Sequence, residues 1–253
     1  MNLLLVESAE LKDHLLRIQG QRALHLLGVL KVKPGDEVRT AIIGQGALPA
    51  RVVAVDEAQV TLETGVVVPA PRPRLSVVLS IPRPKAVSRI IQAVSSFGAA
   101  SITLINAWKV EKSYLDSPRL APERLREDAW LGAAQGRQCH LPELRVISRF
   151  TSFLDEQSVS STHPAVRFVM DPNASSDFRS QLSDVPTDSA LPPPVLLAFG
   201  PDGGFIPREV ESLHQVGYAS VRLNTGPLRT EVAVAAALGA LTMSPYYQTT
   251  HLP

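Results

Sequence analysis

A single cysteine, Cys139, excludes an internal disulfide, and the six histidines show no HxxxH or paired CxxC spacing, which predicts no metal site. Long apolar runs are also lacking. The longest, Val232 to Leu241, is about half of what a bilayer crossing needs, so no membrane partner is expected. The opening MNLLLVE has no basic segment and reaches Glu7 after four apolar residues, too few for a secretory signal, so a cytoplasmic location is expected. A net charge of +1 removes the whole-chain basicity that marks many polyanion binders.

What the chain does have is enough apolar content, 45%, for well-formed cores and a length that fits two small domains. Its charge is also sorted. Residues 72 to 126 hold ten Lys/Arg against three acids, a net of +7, whereas residues 150 to 212 hold three arginines against nine acids. A basic face can therefore exist in a near-neutral protein. Ordinary solvated lysines and arginines are an equal reading, because neighbours in sequence need not form one patch.

Residues 1 to 68 read as a helical stretch after Arg22 followed by short apolar-alternating segments broken by Pro-Gly, Gly-Gln-Gly and Glu-Thr-Gly, the pattern of antiparallel strands in a small barrel. PAPRPR, residues 69 to 74, is a stiff segment suited to a boundary, placed near residue 72. Beyond it, apolar runs at 75–81, 100–106, 165–171, 195–200 and 220–224 alternate with helical patterns at 88–98, 122–135, 208–217 and 230–243. This predicts an α/β domain with a parallel sheet covered on both faces. Residues between PELRVI and 165 read as a polar loop.

Two segments repeat a strand, glycine loop and helix plan. In VLLAFGPDGGFIPREVE, residues 200 to 204 follow a buried strand and precede a helix, where ligands of open α/β sheets bind. A phosphate at the helix N-terminus or a structural turn fits that geometry as well. In VRLNTGPLRTEVAVAAALGAL, the helix is rich in small residues that allow close approach to another helix or subunit; a tightly packed core helix is the plainer reading.

FGPDGGFIPREVE followed by LNTGPLRTE resembles the paired signature of the ribosomal RNA small-subunit methyltransferase E family, of the SPOUT class. RALHLLGVLKVKPGDEV, NAWKVEKSYLDSPRLAPERL and AAQGRQCHLPEL resemble its N-terminal and middle sections, so the likeness spans nearly the whole chain. The resemblance implies a PUA-like RNA-binding barrel over residues 1–71 and a SPOUT methyltransferase domain over 72–253, with a deep trefoil knot at about 165–243, although knots are rare. It also implies S-adenosylmethionine as cofactor, a homodimer formed across the knot, and N3 of a uridine in small-subunit (16S) ribosomal RNA as target. Carried over by position, the cofactor site comprises Met170, Phe199, Gly200, Pro201, Asp202, Gly203, Gly204, Leu223, Asn224, Gly226 and Leu228. Asp202 stands where the family usually has Glu, Asp171 departs from a common His, and residues 224–228 depart from a common Gly-Pro-Arg-Ile-Leu. Residues 93–98, Ala-Val-Ser-Ser-Phe-Gly, lack both charges of the usual Lys-Ala-Thr-Glu-Leu-Gly.

Uridine N3 must lose a proton as it becomes nucleophilic, so a basic group or a donor to the developing charge is expected. Arg229 and Glu231, beside the second loop, are the catalytic candidates, with helix capping or an arginine pair the plainer role for Glu231. Arg83, Lys85, Arg89, Lys109, Lys112 and Arg137 are expected to contact RNA phosphates. Trp108 and Tyr114 lie in that stretch and can stack on a base, but Trp108 is expected in the core. The histidines are expected to be structural or superficial, and Gly203→Val to abolish cofactor binding. Competing readings are a SPOUT methyltransferase for another RNA or base position, an inactive RNA-binding relative, and, last, a Rossmann-type enzyme.

Overall fold

The computed structural model describes residues 2–159, 165–185, 193–223 and 226–244. Strands β1 (Leu4–Val6), β2 (Leu11–Lys12), β3 (Leu15–Gln19), β4 (Glu37–Ile42), β5 (Gly46–Val55), β6 (Gln59–Thr64) and β7 (Val68–Pro69) form one sheet. Its order is β1-β4-β5-β6-β3-β2, with β7 on β5. Period-two alternation explains its core: Leu48, Ala50 and Val52 of β5 and Leu16 and Ile18 of β3 point inward, while Arg51 and Arg17 between them are exposed. Helix α1 (Gly20–His25) continues as a wider π-type turn over Leu26–Leu30. The antiparallel strands expected from the sequence are β4, β5 and β6, which pair so, whereas β1, which the sequence reading did not pick out, pairs in parallel with β4. Elements β2 to α1 intervene between the two, long enough to form the crossover a parallel pair requires.

The second sheet is wholly parallel, in the order β10-β9-β8-β12-β11-β13. Its strands are β8 (Leu75–Ser80), β9 (Ala99–Ile105), β10 (Glu143–Ile147), β11 (Val166–Met170), β12 (Val195–Phe199) and β13 (Ala219–Val221). The helices are α2 (Pro84–Ser96), α3 (Lys112–Leu115), α4 (Pro122–Gln135), α5 (Phe150–Val159), α6 (Phe178–Ser183), α7 (Pro207–Gln215) and α8 (Thr230–Thr242). One face buries Val77, Leu79, Leu197 and Phe199 under α2, α4, α6 and α8; the other buries Val78, Val169 and Ala198 under Phe153 of α5 and Leu213 of α7. Continuous apolar strands are what a sheet covered on both faces requires.

Two boundaries differ from the sequence reading. Helix α2 starts four residues early because Pro84 occupies its first turn, where a missing N–H costs nothing. The polar loop expected before residue 165 contains α5. Its polar residues conceal Phe150, Phe153 and Leu154, which recur at helical spacing and pack on the sheet.

The two sheets meet through α4. Leu3, Leu5 and Ala41 pack on Ala133, Ala134 and Cys139, whose thiol burial pushes its pKa up. Arg126 pairs with Glu7 at 2.8 Å across the same junction. Among the described residues, no helix is long and apolar enough to cross a membrane, and no group of three metal-binding side chains occurs.

Candidate functional site

Strands β11, β12 and β13 are neighbours in the second sheet and run in one direction, so their carboxyl ends open at one place. There a cleft of about 760 Å³ is lined by Met170–Asn173, Phe199–Phe205, Val221–Leu223 and Gly226–Leu228, with Thr230 and Ala233 from α8. Ten of the eleven proposed cofactor residues line it: Met170, Phe199, Gly200, Pro201, Asp202, Gly203, Gly204, Leu223, Gly226 and Leu228. Asn224 lies outside the described residues.

The first loop owes its shape to glycine at two positions. A Cβ on Gly200 would lie 2.8 Å from the Phe205 backbone nitrogen, so a side chain there would prise the loop from its own return. Gly204 has φ +68°, a left-handed conformation that side chains disfavour, and its N–H closes a turn onto the Pro201 carbonyl at 2.7 Å. Gly203 is less constrained than the sequence suggested. A Cβ on it would meet the flexible Lys109 side chain, 3.1 Å away at Cδ.

Four side chains outside this loop pin it. Lys109 Nζ donates to the Gly203 carbonyl at 2.6 Å. Asp202 pairs with Arg83 at 2.7 Å and accepts from the Thr230 hydroxyl at 3.3 Å, linking the loop to the starts of α2 and α8. Glu209, only 7% exposed, accepts from the Trp108 N–H at 2.8 Å and the Ile206 N–H at 3.0 Å. One buried carboxylate thus holds two loops together. Sequence reasoning missed it, although a Glu at the third position of a helix after Ile-Pro is a capping signal. It also missed Arg222, which lines the cleft and donates to the Ala174 carbonyl at 2.9 Å, fixing the loop after β11. His214, expected to be structural, lines the cleft and bonds Ser220 at 2.7 Å.

Arg229 and Glu231 flank the cleft rather than line it, because Thr230, buried between them, takes the inward position. Arg229 is exposed at the N-terminus of α8, where its carbonyl accepts from the Val232 and Ala233 N–H groups at 2.9 Å, while its side chain makes no ion pair or hydrogen bond among the described residues. Glu231 is half-buried with Arg89 4.0 Å away, the pairing role the sequence favoured.

The six expected RNA contacts separate. Arg83, Lys109 and Arg89 gather around the first loop and the start of α8, and Lys85 and Lys112 are exposed on adjoining helices. Arg137 stands apart, lining a broad groove on the first sheet with Arg39 and Arg51. Tyr114 packs partly on the core. Trp108 does not: it is 79% exposed, against the expectation of core packing, because its flanking neighbours Ala107 and Val110 take the buried positions.

A family model described as RNA methyltransferase domain matches residues 69–242. The chain is 25% identical over 238 residues to ribosomal RNA small subunit methyltransferase E 1 of Borreliella burgdorferi, covering 94% of this chain and 95% of that one. It is 27% identical over 250 residues to ribosomal RNA small subunit methyltransferase E of Treponema pallidum, covering 94% and 89%. Its fold matches the crystal structure of ribosomal RNA small subunit methyltransferase E from Neisseria gonorrhoeae bound to S-adenosyl methionine, with a TM-score of 0.73 at 18% identity, covering 96% and 97%.

Proposed function

The chain belongs to the family described as the RNA methyltransferase domain, and from that premise we propose that it methylates N3 of a uridine in small-subunit ribosomal RNA, using S-adenosylmethionine. The observation that carries this reading is the cleft at three parallel strand ends, bordered by the loops of both glycine segments. Its volume lies within the roughly 300–1,000 Å³ of small-ligand sites. Its walls suit the cofactor: the tight backbone turn that Gly200 and Gly204 permit stands beside the apolar Met170, Phe199, Leu223 and Leu228. These residues would hold it, together with Pro201, Asp202, Gly203, Asn224 and Gly226.

When bound, S-adenosylmethionine supplies an electrophilic methyl carbon. The protein's own contribution is chiefly positioning. Arg229, exposed and unpaired among the described residues, stabilises the charge that develops on the base as N3 loses its proton. Glu231, beside it, accepts that proton or keeps Arg89 in place. Arg83, Lys85, Arg89, Lys109 and Lys112 bind phosphates near the cleft, and Arg137 does so from the first sheet, which extends the RNA track.

The wider reading has residues 1–71 acting as a PUA-like RNA-binding barrel and residues 72–253 as a SPOUT domain knotted over about 165–243, in the cytoplasm. Two copies associate through α8. In support, that helix is apolar around its circumference, yet Val232, Ala235 and Ala236 are exposed, and a helix apolar on all sides is normally a buried one.

Mass spectrometry of nucleosides from small-subunit ribosomal RNA, in cells with and without the protein, tests the reading. Loss of N3-methyluridine in its absence is expected. Persistence of that nucleoside refutes the target, and a failure of the purified protein to bind S-adenosylmethionine refutes the activity.

A further inference from the structure

Trp108 presents a problem that core packing does not solve. A tryptophan that is 79% exposed carries a large apolar surface into water, and its backbone is held there from several sides. Its N–H is bonded to the buried Glu209 carboxylate at 2.8 Å. Ala107 before it and Val110 after it are buried, and Lys109 is tied to the Gly203 carbonyl at 2.6 Å. The backbone is therefore anchored while the ring is free, the reverse of a side chain left outside by a loose loop.

Its surroundings select the occupant. Lys109 lines the cleft, and through Gly203 it brings Trp108 next to the loop whose Asp202 holds Arg83. Lys112 lies a few residues on and is exposed. An exposed π-face among cations is the arrangement that receives an unpaired nucleobase, with the ring stacking and the cations meeting the adjoining phosphates. A protein surface would gain from the ring but not from Lys109 and Lys112, which meet no carboxylate among the described residues, whereas Arg83 is already paired with Asp202.

We propose that Trp108 is a nucleobase-stacking platform, which binds an unpaired base of the RNA substrate beside the cofactor cleft and so fixes the strand's register. The proposal rests on the methyltransferase reading for its substrate but is tested separately from it. Stacking is the sequence-tolerant part of recognition, so the platform positions the strand and leaves base choice to groups inside the cleft.

The test compares the full-length protein with Trp108→Ala and Trp108→Phe, using a single-stranded uridine-containing RNA oligonucleotide. RNA affinity is measured by fluorescence anisotropy, S-adenosylmethionine affinity by calorimetry, and oligomeric state by sedimentation. A base stack corresponds to roughly a 5- to 140-fold weakening of RNA binding on alanine substitution. That loss is expected for Trp108→Ala, with near-complete rescue by Trp108→Phe and an unchanged cofactor affinity and melting temperature. Where turnover is measured, KM for RNA rises more than kcat falls. Equal RNA affinity for wild type and Trp108→Ala overturns the platform, whether or not the wild type transfers methyl groups. Dissociation of a dimer by Trp108→Ala overturns it too, by assigning the ring to a subunit contact. A wild type that binds RNA but not S-adenosylmethionine overturns the activity alone.

Discussion

Replacing Glu209 by Ala should loosen the cleft by cutting one buried tie between two loops. The carboxylate is 7% exposed and accepts from two backbone N–H groups, those of Trp108 and Ile206. Hydrogen bonds to a charged partner contribute about 1.5 kcal/mol each at the lower end, so losing both costs on the order of 3 kcal/mol. For a chain of this size each kcal/mol moves the melting temperature by about 2–4 °C, which gives a fall of roughly 6–12 °C. Glu209→Gln keeps one acceptor oxygen and should lose about half as much. Differential scanning calorimetry measures the shift, and isothermal titration with S-adenosylmethionine should show weaker binding in the same order. A melting temperature within about 2 °C of wild type, with unchanged cofactor affinity, would refute the idea that this carboxylate assembles the site.

Gly200→Ala should impair cofactor binding far more than Gly203→Ala, since one Cβ meets backbone at 2.8 Å and the other a movable lysine side chain; calorimetry showing equal losses would contradict the loop geometry. At Glu10, burial pushes the carboxyl pKa up, but hydrogen bonds from Arg22 and the Glu7 N–H outweigh it and leave the group below its usual range. Its stabilising effect is therefore present above the unfolded-state pKa and lost as pH falls through the lower folded value. The melting-temperature advantage of wild type over Glu10→Gln should accordingly shrink on acidification from pH 7 to pH 3, and a constant difference would be inconsistent with it. Ala236→Arg, on the exposed face of α8, should give a monomer in sedimentation; an undisturbed dimer would place the subunit contact elsewhere.

The sequence showed the second sheet best where its strands are most deeply buried. LSVVLS and VLLAF are continuous apolar runs between helical patterns, and no other element type accounts for them as simply. Helix α5 was obscured because only Phe150, Phe153 and Leu154 carry its periodicity among Thr, Ser, Asp, Glu and Gln. The glycine loops were legible as loops, but their partners were not. Lys109, Arg83 and Thr230 approach the first of them from distant parts of the chain, and a single sequence does not encode pairings at that range. Trp108 failed for a related reason: aromatic character predicts burial on average, while burial at one position depends on which neighbours take the inward places.

Strand β8 pairs along one edge with β9, which follows it closely, but along the other with β12, where Leu75 meets Val195. During synthesis the first sheet can close once residue 69 has emerged, whereas β8 must wait for most of the chain before its second neighbour exists. The cleft waits longer still, because β13 and the start of α8 come last. Loop-closure entropy makes such distant parallel pairings slow. A nascent chain therefore holds every strand of the first sheet well before it holds every wall of the cleft, while Leu3, Leu5 and Ala41 stay uncovered until α4 follows.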